Sequence, residues 1–471
     1  MSTEHDDGFP PGIALERTHG GVTVLRVDDH PEDKPKCLRT LTHPASGADV
    51  RVVGSAHVSE ASAREVRRVI AEHKPELVVI ELDGDRLQSL LRSASSRRPA
   101  ARAAKKVSNV REALQTLMNG ELALVAGSLG YATVGAILDT RPGAEFIAAV
   151  EAANEVGATV VLGDRNQKST ISRLYARVRR GSRIFDGLST SRDFIDEDDV
   201  PNAEASTSSK RGRAYTAQKM RNILNNAGCE ESDAVIKTSL EILDSALKGM
   251  PVRVEDLLRV RKCARRVVEF VRVESFRGNP MFSPGSSRAE AGGKKQTLMD
   301  WATSETIIRE RDLILAVALQ RDPTVQSIVG VVGAGHIAGI SKLWDEVEST
   351  ETRKKFNEFL NEWPADAKPM DYTNRIMTSV IGAAALTTII RRGSASAVKA
   401  AGVFVGSMLT LGAVGTYIGA SGLVALGRVA VAIEDASIRA AELGNREDSV
   451  RPKGAFRNII VRDAAVPFKD E

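Results

Sequence analysis

Two short segments, far apart in the chain, share one order of features: a mostly apolar run (broken by Arg51 in the first segment), a turn of small residues and a histidine. Gly54-Ser55-Ala56-His57 follows the run from Val50 to Val53, and Gly333-Ala334-Gly335-His336 follows the run from Ile328 to Val332. Glycine lets the backbone bend tightly and approach a ligand, and histidine can act as a base or bind a metal. Because the chain has only seven histidines, the repeat predicts a site assembled at strand ends.

The stretch from Val50 to Glu81 has the pattern of one βαβ unit. A strand is followed by Ser59 as a helix N-cap, by apolar residues at helical spacing, and by Lys74-Pro75, which ends the helix. The next strand, Leu77 to Ile80, ends at Glu81. The carboxyl ends of parallel strands meet at one sheet edge, where ligands bind in α/β proteins, so His57 and Glu81 should lie there together.

A third candidate strand, Ala158 to Leu162, ends in Gly163-Asp164-Arg165. With His336 after the fourth strand, polar groups are expected at four strand ends. We therefore predict an α/β fold with a parallel or mixed sheet and flanking helices. Each end also has a structural interpretation when taken alone: a histidine that packs or caps, a carboxylate that caps the next helix, or an ion pair between Asp164 and Arg165.

The motifs resemble those of the TraB/PrgY family. The first block is Gly54-Ser-Ala-His57-Val58-Ser59 together with Pro75…Val79-Ile80-Glu81-Leu82…Arg86. The middle block is Pro142-Gly143-x-Glu145-Phe146 with Leu162-x-Asp164-Arg165, Thr170 and Arg173. The last block is Glu310-Arg311-Asp312 with the segment from Val331 to Ile340. Asp83 stands where many relatives have a cysteine.

In its paired GxxH turns and glutamate, this family is similar to Tiki-type metalloproteases and erythromycin esterase-like proteins. The resemblance implies an α/β fold and a hydrolase-type site. The site residues that it implies are His57, Glu81 and His336, with Arg86, Asp164, Arg165 and Arg311 nearby.

These residue types predict a metal-assisted or His/Glu-assisted hydrolase, peptidase-like, with a peptide or protein substrate. His57 and His336 would bind a divalent ion (Mn, Co or Zn) or orient water, and Glu81 would be a ligand or a general base. Three arginines, Arg86, Arg165 and Arg311, would hold a carboxylate or stabilise developing negative charge. The alternative is a non-catalytic membrane adaptor or tether that retains a vestigial site.

Two other classes of ligand are disfavoured. Gly333-x-Gly335-x-x-Ala338 has part of a dinucleotide fingerprint, but no second strand ending in an acid follows it, so no nucleotide is expected. The net charge is +4 and aromatic residues make up 4% of the chain, which is unlike a basic, aromatic nucleic-acid surface.

Cysteine usage and the first residues indicate where the chain resides. Cys37, Cys229 and Cys263 are far apart and form no C-x-x-C pair, which favours a reducing compartment over a disulfide scaffold. Met1 to Pro11 is acidic and has no apolar core, so no signal peptide is predicted.

Composition divides the chain into six parts. They are a flexible lead (1–36), a first part of the α/β domain (37–185), a flexible and helical insertion (186–297), a last part of the α/β domain (298–365), a membrane hairpin (372–433) and a charged tail (434–471).

The membrane hairpin is predicted from two uncharged runs, Ile376 to Ile390 and Ala400 to Gly427. The second is long enough to cross a bilayer, and its G-x-x-x-G spacings at Gly402 and Gly415 suit close helix packing or homo-oligomers in lipid. The expected location is a membrane with the α/β domain facing the cytosol, in a eukaryote the mitochondrial outer membrane or that of another organelle. A buried helical hairpin in a globular domain is the alternative.

Overall fold

The structure is a computed structural model. It describes residues 13–18, 21–26, 36–93, 98–109, 112–113, 122–188, 218, 220–279, 302–361, 420–443 and 460–468.

The main sheet has six strands in the order β3-β4-β7-β5-β6-β8. Its strands are β3 (Leu38–Thr42), β4 (Asp49–Ser55), β5 (Leu77–Ile80), β6 (Thr159–Leu162), β7 (Ser327–Gly333) and β8 (Val461–Asp463). Only the β3–β4 pair is antiparallel among these neighbours, so the sheet is mixed. The α/β prediction is confirmed.

The helices that flank the sheet form two outer layers. One layer contains α1 (Glu60–His73) and α5 (Ala144–Val156), and the other contains α9 (Glu310–Leu319), α10 (Ile337–Leu343) and α11 (Thr350–Leu360). Strand residues alternate between the two faces: Val78 packs with the first layer, whereas Val79 packs with the second. Both faces are therefore covered, which explains why the central strands are apolar throughout.

The predicted N-cap of α1 is present. The Ser59 hydroxyl accepts a hydrogen bond from Ser62 N, and the helix ends at Lys74, which has a positive φ of 47° just before Pro75. The strands on either side of α1 are not neighbours, however, because β7 lies between β4 and β5. The turn that carries His336 is thereby placed between the turns that carry His57 and Glu81.

A second group of helices packs beside the sheet. It consists of α3 (Pro99–Ala104), α4 (Leu122–Leu138), α7 (Ser232–Leu247), α8 (Val254–Phe276) and α12 (Ala420–Glu442). Arg272 of α8 connects this bundle to the sheet, because its Nε donates to Gly54 O at 2.8 Å and its Nη2 pairs with Glu65. The expected insertion thus supports the strand that precedes His57. The remaining long helices are α2 (Gly84–Ser93) and α6 (Gln167–Leu188).

The central part of the predicted membrane hairpin lies outside the described residues. Among those that are described, no helix has the length and apolar character needed to span a bilayer, so the hairpin stays a prediction. The expected boundary at 433/434 falls inside the continuous helix α12, where Glu434 is buried and accepts from the amides of Ala100 and Ala101. Its carboxylate caps α3, which explains a charged residue in a buried position.

The expected flexible lead contains two paired strands. β1 (Ile13–Thr18) and β2 (Gly21–Arg26) form an antiparallel hairpin. In β2, Val22 and Val24 alternate with Gly21 and Thr23, a period-two pattern that suits a strand.

Candidate active site

Polar side chains follow the carboxyl ends of four strands, at one edge of the sheet. β4 and β7 end at paired positions, Ser55 opposite Gly333, and Ile80 of β5 pairs with Val331 of β7 and Leu162 of β6. The strands therefore end within a few residues of one another, and the turns after them are neighbours.

Glu81 is the centre of the site. Its Oε1 lies 3.4 Å from His336 Nε2 and 3.9 Å from His57 Nε2, and it also accepts from Arg311 Nη2. Its Oε2 accepts from the Gly333 amide at 2.6 Å. The structure thus brings His57, Glu81 and His336 together.

The charges around Glu81 keep it ionised. Burial by itself raises the pKa of this carboxyl, but Arg311 and His336, and to a lesser extent His57, hold it well below the usual range of a glutamate. A carboxylate in this state is a weak base and a strong partner for cations.

His57 is held by a carboxylate on α5. Its Nδ1 lies 2.7 Å from Glu145 Oε1, and its ring stacks on Phe146 with centroids 5.3 Å apart. Because a carboxylate can only accept, Nδ1 is the nitrogen that donates, which leaves Nε2 as the acceptor of the neutral ring. With 24% of its side chain exposed, His57 is the more accessible histidine.

His336 is buried between carboxylates. Its Nδ1 lies 2.6 Å from Asp312 Oδ1, and its Nε2 faces Glu81. Burial disfavours the charged ring, but Glu81 and Asp312 outweigh this effect and raise the pKa of His336 to about 9. The ring is therefore an imidazolium at neutral pH, with both nitrogens donating.

Arg311 links Glu81 to the end of β6. Its Nη2 donates to Glu81 and, at 2.8 Å, to Asp164 Oδ2, while its Nε contacts both Asp164 oxygens at 3.2 Å. Burial opposes ionisation of Asp164, yet Arg311 and Arg86 lower the pKa of its carboxyl. This pair anchors two strand ends to the start of α9.

Arg86 lies at the margin of this network. Its Nη1 donates to Asp164 Oδ2 at 3.1 Å and to the Glu81 carbonyl at 3.3 Å. Its side chain is 28% exposed, and it lines a cavity of about 450 Å³ into which His57 also faces.

Arg165 lies in a different network. Its guanidinium bonds Glu310, Thr170 and the carbonyls of Thr306 and Phe359. The side chain is turned away from Glu81, so the structure does not bring this predicted site residue to the two histidines.

Two glycines make the close packing of these groups possible. A Cβ at Gly333 would lie 3.2 Å from His57 Nε2 and 3.3 Å from Glu81 Oε2. A Cβ at Gly339 would lie 1.9 Å from Asp312 Oδ2. The first glycine keeps the space between the functional groups open, and the second leaves room for the carboxylate that holds His336.

Two of the carboxylates that matter here, Glu145 and Asp312, were not predicted as site residues. Both lie within the motif blocks of the sequence, but nothing in their spacing says that each meets the Nδ1 atom of a histidine. Glu145 is 88 residues from His57 and Asp312 is 24 residues from His336. The useful signal is that each of these acidic residues lies inside one of the motif blocks.

The chain is similar in sequence to proteins of animals and an archaeon. TraB domain-containing proteins of Mus musculus and Homo sapiens are each 32% identical, over 177 and 176 residues, or 36% of this chain. An uncharacterized protein of Methanocaldococcus jannaschii is 28% identical over 154 residues, or 32% of this chain. No protein-family model matches.

The chain is thus similar to TraB domain-containing proteins over about a third of its length. The match spans 46% of the mouse and human proteins and 36% of the archaeal one, so the chain covers less than half the length of these relatives.

The departure from the TraB pattern at Asp83 has a structural explanation. Asp83 Oδ1 accepts from Arg86 N at 3.0 Å, and Oδ2 accepts from Gln167 N at 3.1 Å. The carboxylate therefore caps the first turns of α2 and α6 together. It is committed to backbone amides, beside the site rather than in it.

The residue types at these strand ends predict a divalent metal at His57, Glu81 and His336. Within the described part of the chain, no group of three or more His, Cys, Asp or Glu side chains is placed to hold one. Both Glu81 oxygens have protein partners, and Arg311 Nη1 lies 3.4 Å from His336 Nε2, where a dication would meet a guanidinium. In this arrangement the residues do not fit a metal, and metal dependence stays a prediction to be tested.

Proposed function

We propose that this cluster is the active site of a hydrolase that cleaves amide bonds of peptides, with His57 as the base that activates water. The observation that carries the proposal is the pair His57–Glu145, which faces a cavity and stands beside the buried cations His336 and Arg311. A positioned histidine whose other nitrogen is held by a carboxylate is the usual arrangement of a general base.

The reaction would proceed in two steps. His57 Nε2 takes a proton from water as the water oxygen bonds to the substrate carbonyl carbon, which gives a tetrahedral oxyanion. The oxyanion then re-forms the carbonyl, the C–N bond breaks, and the proton on His57 passes to the leaving amine. The products are a carboxylic acid and an amine, so one water is consumed for each bond cleaved.

The other charged groups would stabilise the negative charge that develops during the reaction. His336 and Arg311 carry positive charge next to His57, and positive charge stabilises a developing oxyanion in a site shielded from water. Glu81 would hold these two cations in position, since its own low pKa makes it a poor proton acceptor.

The test is hydrolysis of a mixed peptide library by the purified chain, after dialysis against a chelator and again with Mn, Co or Zn added. We expect activity without metal and a loss of about a hundredfold to ten-thousandfold in kcat for His57→Ala. Gly333→Ala is a second variant, because its methyl group would lie between His57 and Glu81.

His73→Gln is the matched control. His73 is at the far end of α1, 3.7 Å from Asp49 at the opposite edge of the sheet, and this variant should keep full activity. Activity only with added metal would contradict the metal-free mechanism. No hydrolysis under any condition would favour the adaptor role.

A further inference from the structure

The cavity beside His57 has a mixed wall whose chemistry indicates a class of substrate. Its apolar part includes Leu90, Tyr131 and Phe146, and its basic groups are Arg86 and Lys168. A volume of about 450 Å³ is within the range of small-molecule sites and suits one or two amino-acid residues.

The acidic groups in the wall are already paired. Asp83 accepts from two backbone amides, and Asp85 Oδ2 accepts from Asn166 Nδ2 at 3.2 Å. Over the described residues, no partner is found for Arg86 Nε and Nη2 or for the Lys168 ammonium. Arg86 and Lys168 are therefore the cationic donors in the wall that remain for a ligand.

We propose that Arg86, assisted by Lys168, binds the terminal carboxylate of a peptide substrate. Because Arg86 Nη1 is bonded to the Glu81 carbonyl and to Asp164, its guanidinium is fixed at the margin of the catalytic cluster. Arginine presents its N–H groups in a fork that matches a carboxylate.

The position of the substrate carboxylate in the cavity then determines which peptide bond is hydrolysed. A terminal carboxylate and the last peptide bond belong to the same residue, so a carboxylate on Arg86 brings that bond toward His57, which faces the same cavity. The apolar wall receives the side chain of the last residue. This inference rests on the proposed hydrolase function and defines it as release of carboxyl-terminal residues.

A binding measurement tests this inference separately from catalysis. N-acetylphenylalanine and its amide differ only in the carboxylate, and each can be titrated by calorimetry into the full-length His57→Ala protein, in which turnover is suppressed. We expect the acid to bind about tenfold more tightly than the amide, as for a hydrogen-bonded charge. Arg86→Gln in the same background should abolish the difference.

Two further variants control for misfolding and for the nonspecific effect of removing a positive charge. Lys168 is exposed, so Lys168→Gln should fold normally and reduce the preference about threefold, as for a surface ion pair. Arg92, on the same helix as Arg86, bonds Gln88, and Arg92→Gln should leave the preference unchanged.

The outcomes are distinguishable. Equal binding of acid and amide, or a preference that survives Arg86→Gln, would overturn the carboxylate site even if peptides are hydrolysed. A clear preference for the acid without hydrolysis of any peptide by the wild-type chain would leave the carboxylate site standing and refute the hydrolase.

Discussion

The two histidines share a sequence motif but differ in chemistry. His336 is buried between Glu81 and Asp312, which together raise its pKa to about 9. His57 is held at Nδ1 by Glu145 and has an exposed face. One ring therefore serves as a fixed cation, and the other can accept a proton.

The first prediction concerns Glu145→Gln. The amide oxygen can still accept from His57 Nδ1, but the negative charge that favours the imidazolium is lost. We expect kcat/KM to fall about tenfold to a hundredfold, as for other residues that orient a functional histidine.

The matched control is Glu151→Gln, on the same helix, where Glu151 pairs with Arg67 away from the site. An unchanged kcat/KM in Glu145→Gln would mean that Glu145 only packs against the ring.

The start of α9 has three consecutive charged residues, each of which pairs with different partners. It follows a π-helical segment, Ser304–Arg309, a form that often occurs at functional sites. Glu310 meets Arg165 and Arg173, Arg311 meets Glu81, and Asp312 meets His336. One short element therefore connects the catalytic cluster to the ion-pair network around Arg165.

The second prediction concerns the stability that Glu310 contributes. Burial opposes its ionisation, but Arg173, Arg165 and Arg177 lower its pKa to about 2. A lowered carboxyl pKa stabilises the fold above the usual value near 4.5 and loses that effect as the pH falls toward 2. The shift corresponds to about 3 kcal/mol at neutral pH.

Glu310→Gln should therefore lower the free energy of unfolding by about 3 to 5 kcal/mol at pH 7, because it leaves buried arginines uncompensated. The difference from wild type should shrink between pH 4.5 and 2 in denaturant titrations. Glu305→Gln removes a more exposed pair with Arg309 and should have little effect. A difference that does not depend on pH would refute this account.

The segments on either side of the predicted membrane hairpin pack into the same body of the protein. The chain runs through α11, which ends at Leu360, and is next described at Ala420 in α12, which packs in the helical bundle. Further on, β8 pairs with β6 in the main sheet. Both flanks of the predicted hairpin thus belong to one body.

This arrangement favours two membrane crossings over one. A single crossing would put α12 and β8 on the opposite side of the bilayer from the sheet that they join, so we predict two crossings. Leu423 and Val424 pack against other helices, which leaves 400–419 for the second span. Twenty helical residues reach about 30 Å, the thickness of a bilayer core.

Alkaline carbonate should therefore leave the full-length protein in the membrane pellet, and protease should reach tags at both termini. Leu411→Arg should shift protein to the supernatant, whereas Leu411→Val should not. Release of the wild-type protein by carbonate would refute the anchor, and protection of only the carboxyl-terminal tag would indicate one span.

The sequence by itself determined the local elements and most of the residues that meet. Apolar runs of four to seven residues marked β4, β5, β6 and β7, and small-residue turns and charged residues marked the point where each of these strands ends. Parallel strands share one carboxyl edge, so a pattern that is readable locally was enough to bring His57, Glu81 and His336 together.

Only the tertiary structure decided the rest. β7 is distant in the sequence from both β4 and β5 yet lies between them, and no local pattern encodes that order. The packing of helices on the sheet decides which carboxylates, Glu145 and Asp312, meet the Nδ1 atoms of the two histidines. It also turns Arg165 away from the site. Packing over long sequence separations fixes where a side chain points, and therefore which histidine is buried between two carboxylates and which one lines a cavity.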